Sequence, residues 1–176
     1  MTDASLGPSA YIVLGFIARC GPSTSYDLKR WADGSVGYFW TFPRSQLYAE
    51  PQRLSDLGLL SESQEEGGRR RRLYTVTGAG QRALEDWLRS PAGFPELRDP
   101  GLLRMFFMEA GDPAPLRALA QEQLALHRAR LAEYETQAAQ HGPGPQPLSR
   151  RTLRMGFLYE HANITFWEEV LAECPE

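Results

Sequence analysis

The first ninety residues drop from helical to strand spacing once, for a single hairpin, before returning to a helix, and that pattern restricts the fold more than any other feature of the chain. Through residues 8–20 apolar side chains recur at helical spacing (Tyr11, Ile12, Leu14, Ile17, Ala18). Pro8 suits a first helical turn, and Gly21-Pro22 ends the run. A second short helix follows a tight Gly-Pro-Ser turn. Ser23, Thr24 or Ser25 can cap it, Leu28, Trp31 and Ala32 give it an apolar side, and Gly34 closes it. Residues 36–42 are rich in aromatics (Tyr38, Phe39, Trp40, Phe42) and too short and irregular for a helix, which predicts a packed linker. Residues 44–57 return to helical spacing, with Leu47, Leu54 and Leu57 on one face and Ser45, Ala49 and Gln52 opposite. Pro51 removes one backbone hydrogen bond there and predicts a kink or a local loss of regularity. Then the period falls to two. Residues 59–63 and 70–76 read as strands around a Glu-Glu-Gly-Gly turn in 64–69, and the return limb alternates Tyr74 and Val76 with Leu73 and Thr75. Thr77 caps a fourth helix to Arg89, with Leu84, Trp87 and Leu88 expected inside.

Residues 90–100 hold three prolines and a glycine, which places a boundary between a unit at 1–90 and a second at 91–176. The rear half reads as helices only. A short apolar one spans 101–110 (Leu102, Leu103, Met105, Phe106, Phe107, Met108), and a long one starts at Asp112-Pro113. After a Gly/Pro loop at 141–149, a last helix runs over about 150–173. The long helix carries Ala120, Leu124, His127, Leu131, Tyr134 and Ala138 at alternating spacings of four and three; the last carries Leu153, Phe157, Glu160, Ile164, Trp167 and Leu171. Such spacing marks two packing seams. The head is too short to cover them, which predicts that a second copy does and that Leu124, Leu131, Tyr134, Phe157, Ile164 and Trp167 carry a dimer contact. Glu160, a carboxylate among apolar neighbours, needs a partner such as an arginine or histidine from another helix.

The fold class is therefore mainly α: a winged helix-turn-helix head of three helices plus a β-hairpin wing, followed by a C-terminal helical dimerisation region. Net charge is −3, but it is unevenly spread: residues 1–90 hold eleven basic and ten acidic side chains, residues 91–176 eight and twelve. Positive charge concentrates in Arg69, Arg70, Arg71 and Arg72 on the hairpin. A helix fits the major groove and offers donors and acceptors to base edges, while an arginine-bearing wing reaches a neighbouring phosphate or the minor groove. Arg44, Ser45, Gln46, Tyr48, Gln52 and Arg53 on the third helix, with Arg69, Arg70 and Arg71 on the wing, are thus the candidate DNA contacts. Tyr48, at the edge of the apolar arc, could instead pack against the wing.

Other classes are disfavoured. There is no phosphate-cradling glycine loop, no nucleophile elbow, and no metal-ligand spacing among His127, His141 and His161, so neither an enzyme nor a metal or other cofactor is expected. Cys20 and Cys174 lie at opposite ends of the sequence and read as free thiols. No apolar run reaches membrane-spanning length, and residues 1–8 lack the pattern of a secretory leader, so a cytoplasmic chain without membrane partners is expected. The alternative from another class is a winged helix serving protein interaction without sequence-specific DNA binding.

Ser25-Tyr26-Asp27-Leu28, Ser45-Gln46-Leu47-Tyr48, Arg53-Leu54 and Leu57-Gly58-Leu59-Leu60 resemble the PadR family of transcriptional regulators. So do Glu66-Gly67-Gly68-Arg69 and Leu73-Tyr74-Thr75-Val76-Thr77 with Gly80, and, in the tail, Arg154-Met155-Gly156 and Trp167. The resemblance implies a homodimeric repressor, less often an activator, on an inverted-repeat operator, with relief by a phenolic acid, drug or other small aromatic effector. It carries DNA contacts onto Arg44, Ser45, Gln46 and Tyr48 and onto Arg69 and Arg70. The chain departs from the family pattern in the position of Pro51 and in its heavier aromatic linker. An effector is expected to change the angle between head and tail at the proline-rich joint.

Overall fold

The structure is a computed structural model, and it describes residues 6–64, 71–111, 114–139 and 148–174. Two compact units divide the chain, Met1–Phe94 and Pro95–Glu176.

The first unit contains α1 (Pro8–Cys20), α2 (Ser25–Asp33), a 3-10 turn (Val36–Tyr38), α3 (Gln46–Asp56), β1 (Leu60–Gln64), β2 (Arg72–Val76) and α4 (Gly78–Arg89). Its core is Ala10, Val13, Leu14 and Ile17 of α1 against Leu28 and Ala32 of α2, Leu47 and Leu54 of α3, Leu60, Tyr74 and Leu84. Local chemistry sets the ends. Pro8 occupies the first turn of α1 and Gly21 closes it at φ 85°. Thr24 caps α2 through a reciprocal capping box: its hydroxyl accepts from the Asp27 amide and the Asp27 carboxylate accepts from the Thr24 amide at 3.1 Å. Thr77 caps α4 by accepting from the Gly80 amide at 3.1 Å.

The exit from α3 fixes where the wing begins. The Gly58 amide donates to the Ser55 carbonyl at 2.9 Å and the Leu59 amide to the Leu54 carbonyl at 2.9 Å. This paired pattern is a Schellman motif, and it needs a left-handed residue between the two donors. Gly58 supplies it at φ 72°. The chain then enters β1, which pairs antiparallel with β2 from Leu60 opposite Val76 to Gln64 opposite Arg72. Sequence spacing did not reveal a third edge. The Ser23 amide donates to the Tyr74 carbonyl at 3.0 Å and the Tyr74 amide to the Ser23 carbonyl at 2.9 Å. The turn before α2 is thereby bonded to the inner strand of the wing.

Several expectations are corrected. The third helix starts at Gln46, because Arg44 and Ser45 form the turn that leads into it: the Gln46 amide bonds back to Pro43 and the Leu47 amide to Arg44. Helix α3 continues through Pro51 without a break, so the local loss of regularity does not occur, and Pro51 is buried between Leu47 and Leu54 on the core face. The proline therefore contributes apolar volume where its missing N–H costs one bond. Leu57 is exposed, having passed into the helix-ending turn. The aromatic linker is only partly packed: Val36 and Phe42 reach the core, whereas Phe39 is 63% exposed. Trp87 is 43% exposed and lies flat on Tyr11 with ring centroids 4.6 Å apart, and Leu88 is 67% exposed. The fourth helix thus buries Leu84 and covers a tyrosine face with Trp87.

The second unit contains α5 (Pro100–Phe107), a 3-10 turn (Met108–Ala110), α6 (Leu116–Ala139) and α7 (Leu148–Glu173). Asp99 caps α5 by accepting from the Leu102 amide at 3.0 Å. The expected start of the long helix at Asp112-Pro113 lies outside the described residues, and regular helix begins at Leu116. Helices α6 and α7 run antiparallel: Arg117 donates to the Cys174 carbonyl, His127 meets Glu160, and the Tyr134 ring meets Phe157 at 5.9 Å. The two seams read from the sequence face each other across this pair. Leu119, Ala120, Leu124 and Trp167 form a buried cluster joined by Leu102, Met105, Met108 and Ile164. One subunit buries Leu124, Tyr134 and Trp167 by itself, so no second copy is needed to cover them. Leu131, Phe157 and Ile164 are half-buried on the same seams. Glu160 finds its partner in His127, whose Nδ1 lies 2.6 Å from the carboxylate.

Candidate nucleic-acid interface

Helix α3 buries Leu47, Pro51 and Leu54, at positions i, i+4 and i+7. Geometry then turns the opposite face to solvent. Ser45, Tyr48 and Ala49 are exposed there, with Tyr48 at 52% among the described residues. Gln52 lies one turn further on and is half-buried, with both ends of its amide engaged. Its nitrogen donates to Asp56 at 3.0 Å, and its oxygen accepts from Nη1 of Arg72 on β2. That second bond joins the polar face of α3 to the inner strand of the wing. Arg72 also reaches across the hairpin to Glu62, Nε to Oε1 at 3.3 Å.

The other candidate residues are placed as follows. Arg44 stands in the turn before α3, largely exposed, with Nη1 2.9 Å from Asp33 Oδ1. Gln46 is half-buried, and its side-chain oxygen accepts from the Ser9 hydroxyl of α1, so it points toward the head's own first helix and departs from the outward face. Arg53 is turned back along its own helix onto Glu50, with Nε 3.1 Å from each carboxylate oxygen. That hydrogen-bonded carboxylate holds the Arg53 pKa above its ordinary value, so the guanidinium stays charged but occupied. Arg71 is exposed just before β2. The hydrogen bond from Thr24 lowers the pKa of Asp27, and the charges of Arg30 and Arg71 add to it. Arg69 and Arg70, with the turn residues Glu66, Gly67 and Gly68, lie outside the described residues.

Two more side chains matter here: Arg72, read from sequence only as part of the basic hairpin, and Tyr26, not assigned a contact there. Arg72 is the residue that bonds wing to helix. Tyr26, on the first turn of α2, is exposed, and Arg30 one turn later pairs with Asp27 at 3.2 Å. Tyr26 already stood in the Ser25-Tyr26-Asp27-Leu28 stretch. Its signal was a large aromatic at a polar position beside a helix cap. Among the described residues no group of histidine, cysteine and carboxylate side chains could hold a metal, and no helix is long and apolar enough to cross a membrane. The surface offers guanidinium, amide, hydroxyl and phenol groups on a helix of major-groove width beside a two-stranded ribbon, which is equipment for hydrogen bonding to base edges and phosphates.

Comparison with known proteins agrees with this architecture. Residues 13–86 match the transcriptional regulator PadR-like family, and residues 97–174 match the family described as virulence activator alpha C-term. The chain is 28% identical over 128 residues to the negative transcriptional regulator PadR of Bacillus subtilis, spanning 71% of this chain and 70% of that protein. The crystal structure of Bacillus subtilis PadR in complex with operator DNA is similar at 25% identity and a TM-score of 0.82, over 93% of this chain and 96% of that one. The same protein in complex with p-coumaric acid shares the fold at 24% identity and a TM-score of 0.76, over 96% of this chain and 97% of that one. The Vibrio cholerae virulence activator AphA is similar at 27% identity and a TM-score of 0.75, over 94% of this chain and 96% of that one. A winged helix-turn-helix head, a helical second unit and these matches across both lead to one assignment: residues 13–86 form a PadR-like transcriptional regulator domain, and the chain as a whole is similar in sequence and fold to PadR.

Proposed function

We propose that this regulator is a homodimeric repressor whose 1–90 unit binds an inverted-repeat operator and whose 91–176 unit pairs two copies. The observation that carries the reading is the joined surface of α3 and wing: Tyr48 and Gln52 of α3 follow the exposed Ser45 at its N-cap, and Gln52 is bonded to Arg72 of β2. A reading helix and a wing fixed to each other can engage one stretch of duplex together. Arg44 stands at the leading edge of that face and Arg71 at the wing. Arg69 and Arg70 are assigned a DNA-contact role on sequence alone. Gln46 and Arg53, tied to Ser9 and Glu50, serve to hold the reading helix. The likeness to PadR solved on operator DNA supports the operator, and the name of the negative regulator PadR supports repression.

Pairing falls to apolar side chains that one subunit leaves uncovered. Leu148, Met155, Leu158 and Tyr159 of α7 are exposed at roughly helical intervals, and Leu126 of α6 is exposed as well. A self-complementary contact of this kind would present two reading helices about one duplex turn apart, roughly 34–36 Å between half-sites. A small aromatic acid is the proposed effector, by likeness to PadR solved with p-coumaric acid; it relieves repression by changing how the two heads are presented.

Operator binding tests the assignment. Arg44→Ala and Tyr48→Ala should each weaken binding to an inverted-repeat duplex by about 1–3 kcal/mol for every base interaction removed, whereas Arg71→Ala should weaken binding to all sequences and reduce the salt slope by about 1. Wild-type binding that stays flat between low and high salt, or unchanged operator affinity in all three variants, refutes the reading.

A further inference from the structure

We infer that Asp33 is a specificity-determining residue, acting through Arg44; the inference deepens the proposed DNA-binding reading and rests on it. Asp33 is the last residue of α2, the end of a helix where a negative charge is disfavoured. Its pairing with Lys29 places lysine four residues before aspartate, the weaker orientation for such a pair. Local helix chemistry therefore does not account for an aspartate there. Its contacts do. One oxygen lies 3.0 Å from Lys29 Nζ, and Arg44 Nη1 lies 2.9 Å from one oxygen and 3.1 Å from the other. A single carboxylate thus sits between Lys29 of α2 and Arg44 of the turn into α3.

Two effects follow for a duplex. The first is screening. A phosphate backbone of any sequence attracts free arginine and lysine, and a carboxylate between Lys29 and Arg44 offsets one of their two charges. The second is orientation. An arginine on its own loses rotamer freedom when it docks on guanine. Arg44 is held through Nη1, so its remaining N–H donors present a fixed edge to a base. Screening weakens binding to every sequence, and orientation strengthens binding only where the correct base stands. Together they widen the gap between operator and other DNA. Other acidic groups among the described residues of this surface do different work, Asp27 pairing with Arg30 and capping α2. Glu50 clamps Arg53 along α3, and Glu62 and Asp56 hold Arg72 and Gln52 at the junction of helix and wing.

The test uses the full chain, an inverted-repeat duplex recovered by selection from random sequence, and a shuffled duplex of the same length. Asp33→Asn is expected to bind the shuffled duplex about three- to tenfold more tightly, with a salt slope steeper by about 1. Affinity for the selected duplex should rise less or fall, so that the ratio of the two drops. Asp33→Ser, which removes the charge with a different polar side chain, should do the same, and Asp33→Glu should restore part of the ratio. On an Arg44→Ala background the loss of discrimination from Asp33→Asn should be much smaller, which a merely structural aspartate would not produce. Glu168→Gln, an equal change of net charge at an exposed pair with Arg128 in the second unit, should leave the ratio unchanged. A ratio within twofold of wild type in both Asp33→Asn and Asp33→Ser overturns the inference, as does an equal loss with and without Arg44. Wild-type protein that fails to distinguish the two duplexes overturns the DNA-binding reading itself.

Discussion

Replacing Gly80 by alanine should damage the head far more than helix chemistry alone would suggest. Glycine inside a helix is normally inferior to alanine by about 1 kcal/mol, so the substitution starts with a gain. At this position the gain meets an obstacle. A Cβ on Gly80 would lie 2.1 Å from the Leu59 carbonyl oxygen and 3.0 Å from Val76 Cγ2. A carbon and a carbonyl oxygen ordinarily approach to roughly 3.3 Å, so the gap must open by about 1.2 Å. The obstructing atom is backbone and cannot rotate away. It is also occupied, accepting from the Thr77 amide and hydroxyl, each at 3.1 Å. Overpacking of this kind costs about 3 kcal/mol or somewhat more, leaving a net loss of about 2–3 kcal/mol. For a unit of this size, each kcal/mol moves the melting temperature by about 4–8 °C, so a fall on the order of 10–20 °C is expected. Thermal melting by circular dichroism measures it, with Gly78→Ala as the internal control. Gly78 opens the same helix, and a Cβ there meets only the end of the Arg82 side chain at 3.6 Å. Gly78→Ala should be neutral or slightly stabilising. If Gly80→Ala melts at or above wild type, the close approach of α4 to Leu59 is wrong and helix propensity alone decides.

The other predictions concern single polar contacts. Asp27→Asn weakens the cap of α2 and should cost about 1 kcal/mol near neutral pH. The Thr24 hydrogen bond holds the folded-state pKa of Asp27 below 3.8, so its stabilisation is complete above that value and is lost as pH falls through the folded value. The difference between wild type and variant should accordingly be level from pH 5 to pH 7 and close below about pH 4; an undiminished difference at pH 3 would refute this assignment. In the second unit, Glu160→Ala strips the partner from a mostly buried His127 and should cost about 1–3 kcal/mol in chemical denaturation, with Glu160→Gln recovering part of it. An alanine variant as stable as wild type would show that the pair contributes nothing net.

The parts of the fold that were legible in sequence were those fixed by neighbours in sequence. Helix α1 begins at Pro8 and ends at Cys20 as the proline and the Gly21-Pro22 pair require, and α4 ends at Arg89 behind its Thr77 cap. The start of α3 was misplaced by two residues because the deciding bonds, Gln46 to Pro43 and Leu47 to Arg44, belong to a turn with no residue signature. Periodicity identified the seams of α6 and α7 but not what covers them. It reports that a face is buried and is silent on whether the partner is the next helix or another chain. Side-chain roles divided the same way. The hold of Glu50 on Arg53 was available from their spacing of three, whereas the bonds of Gln46 to Ser9 and of Arg72 to Gln52 span 37 and 20 residues. No local pattern encodes those. Glu160 falls between: its need for a partner was readable, and only the fold supplied His127.

Three separate ties converge on the junction between α3 and the wing. The Schellman motif locks Leu59 to Leu54, the Leu59 carbonyl is pressed between Thr77 and Gly80, and Gln52 bonds Arg72. A fourth, the Ser23–Tyr74 bridge, fixes β2 to the turn before α2. Helix α3 and the described strands β1 and β2 are therefore tied together, and small shifts between them are opposed by these bonds. Control of such a head cannot economically act by sliding the wing against α3, since that would break several bonds at once. Control that acts on how two intact heads are presented to one duplex breaks none of them. This is why the Gly80→Ala comparison bears on function as well as stability: the same carbonyl sets the melting temperature and the start of the wing, so operator affinity and stability should fall together there and stay together in Gly78→Ala.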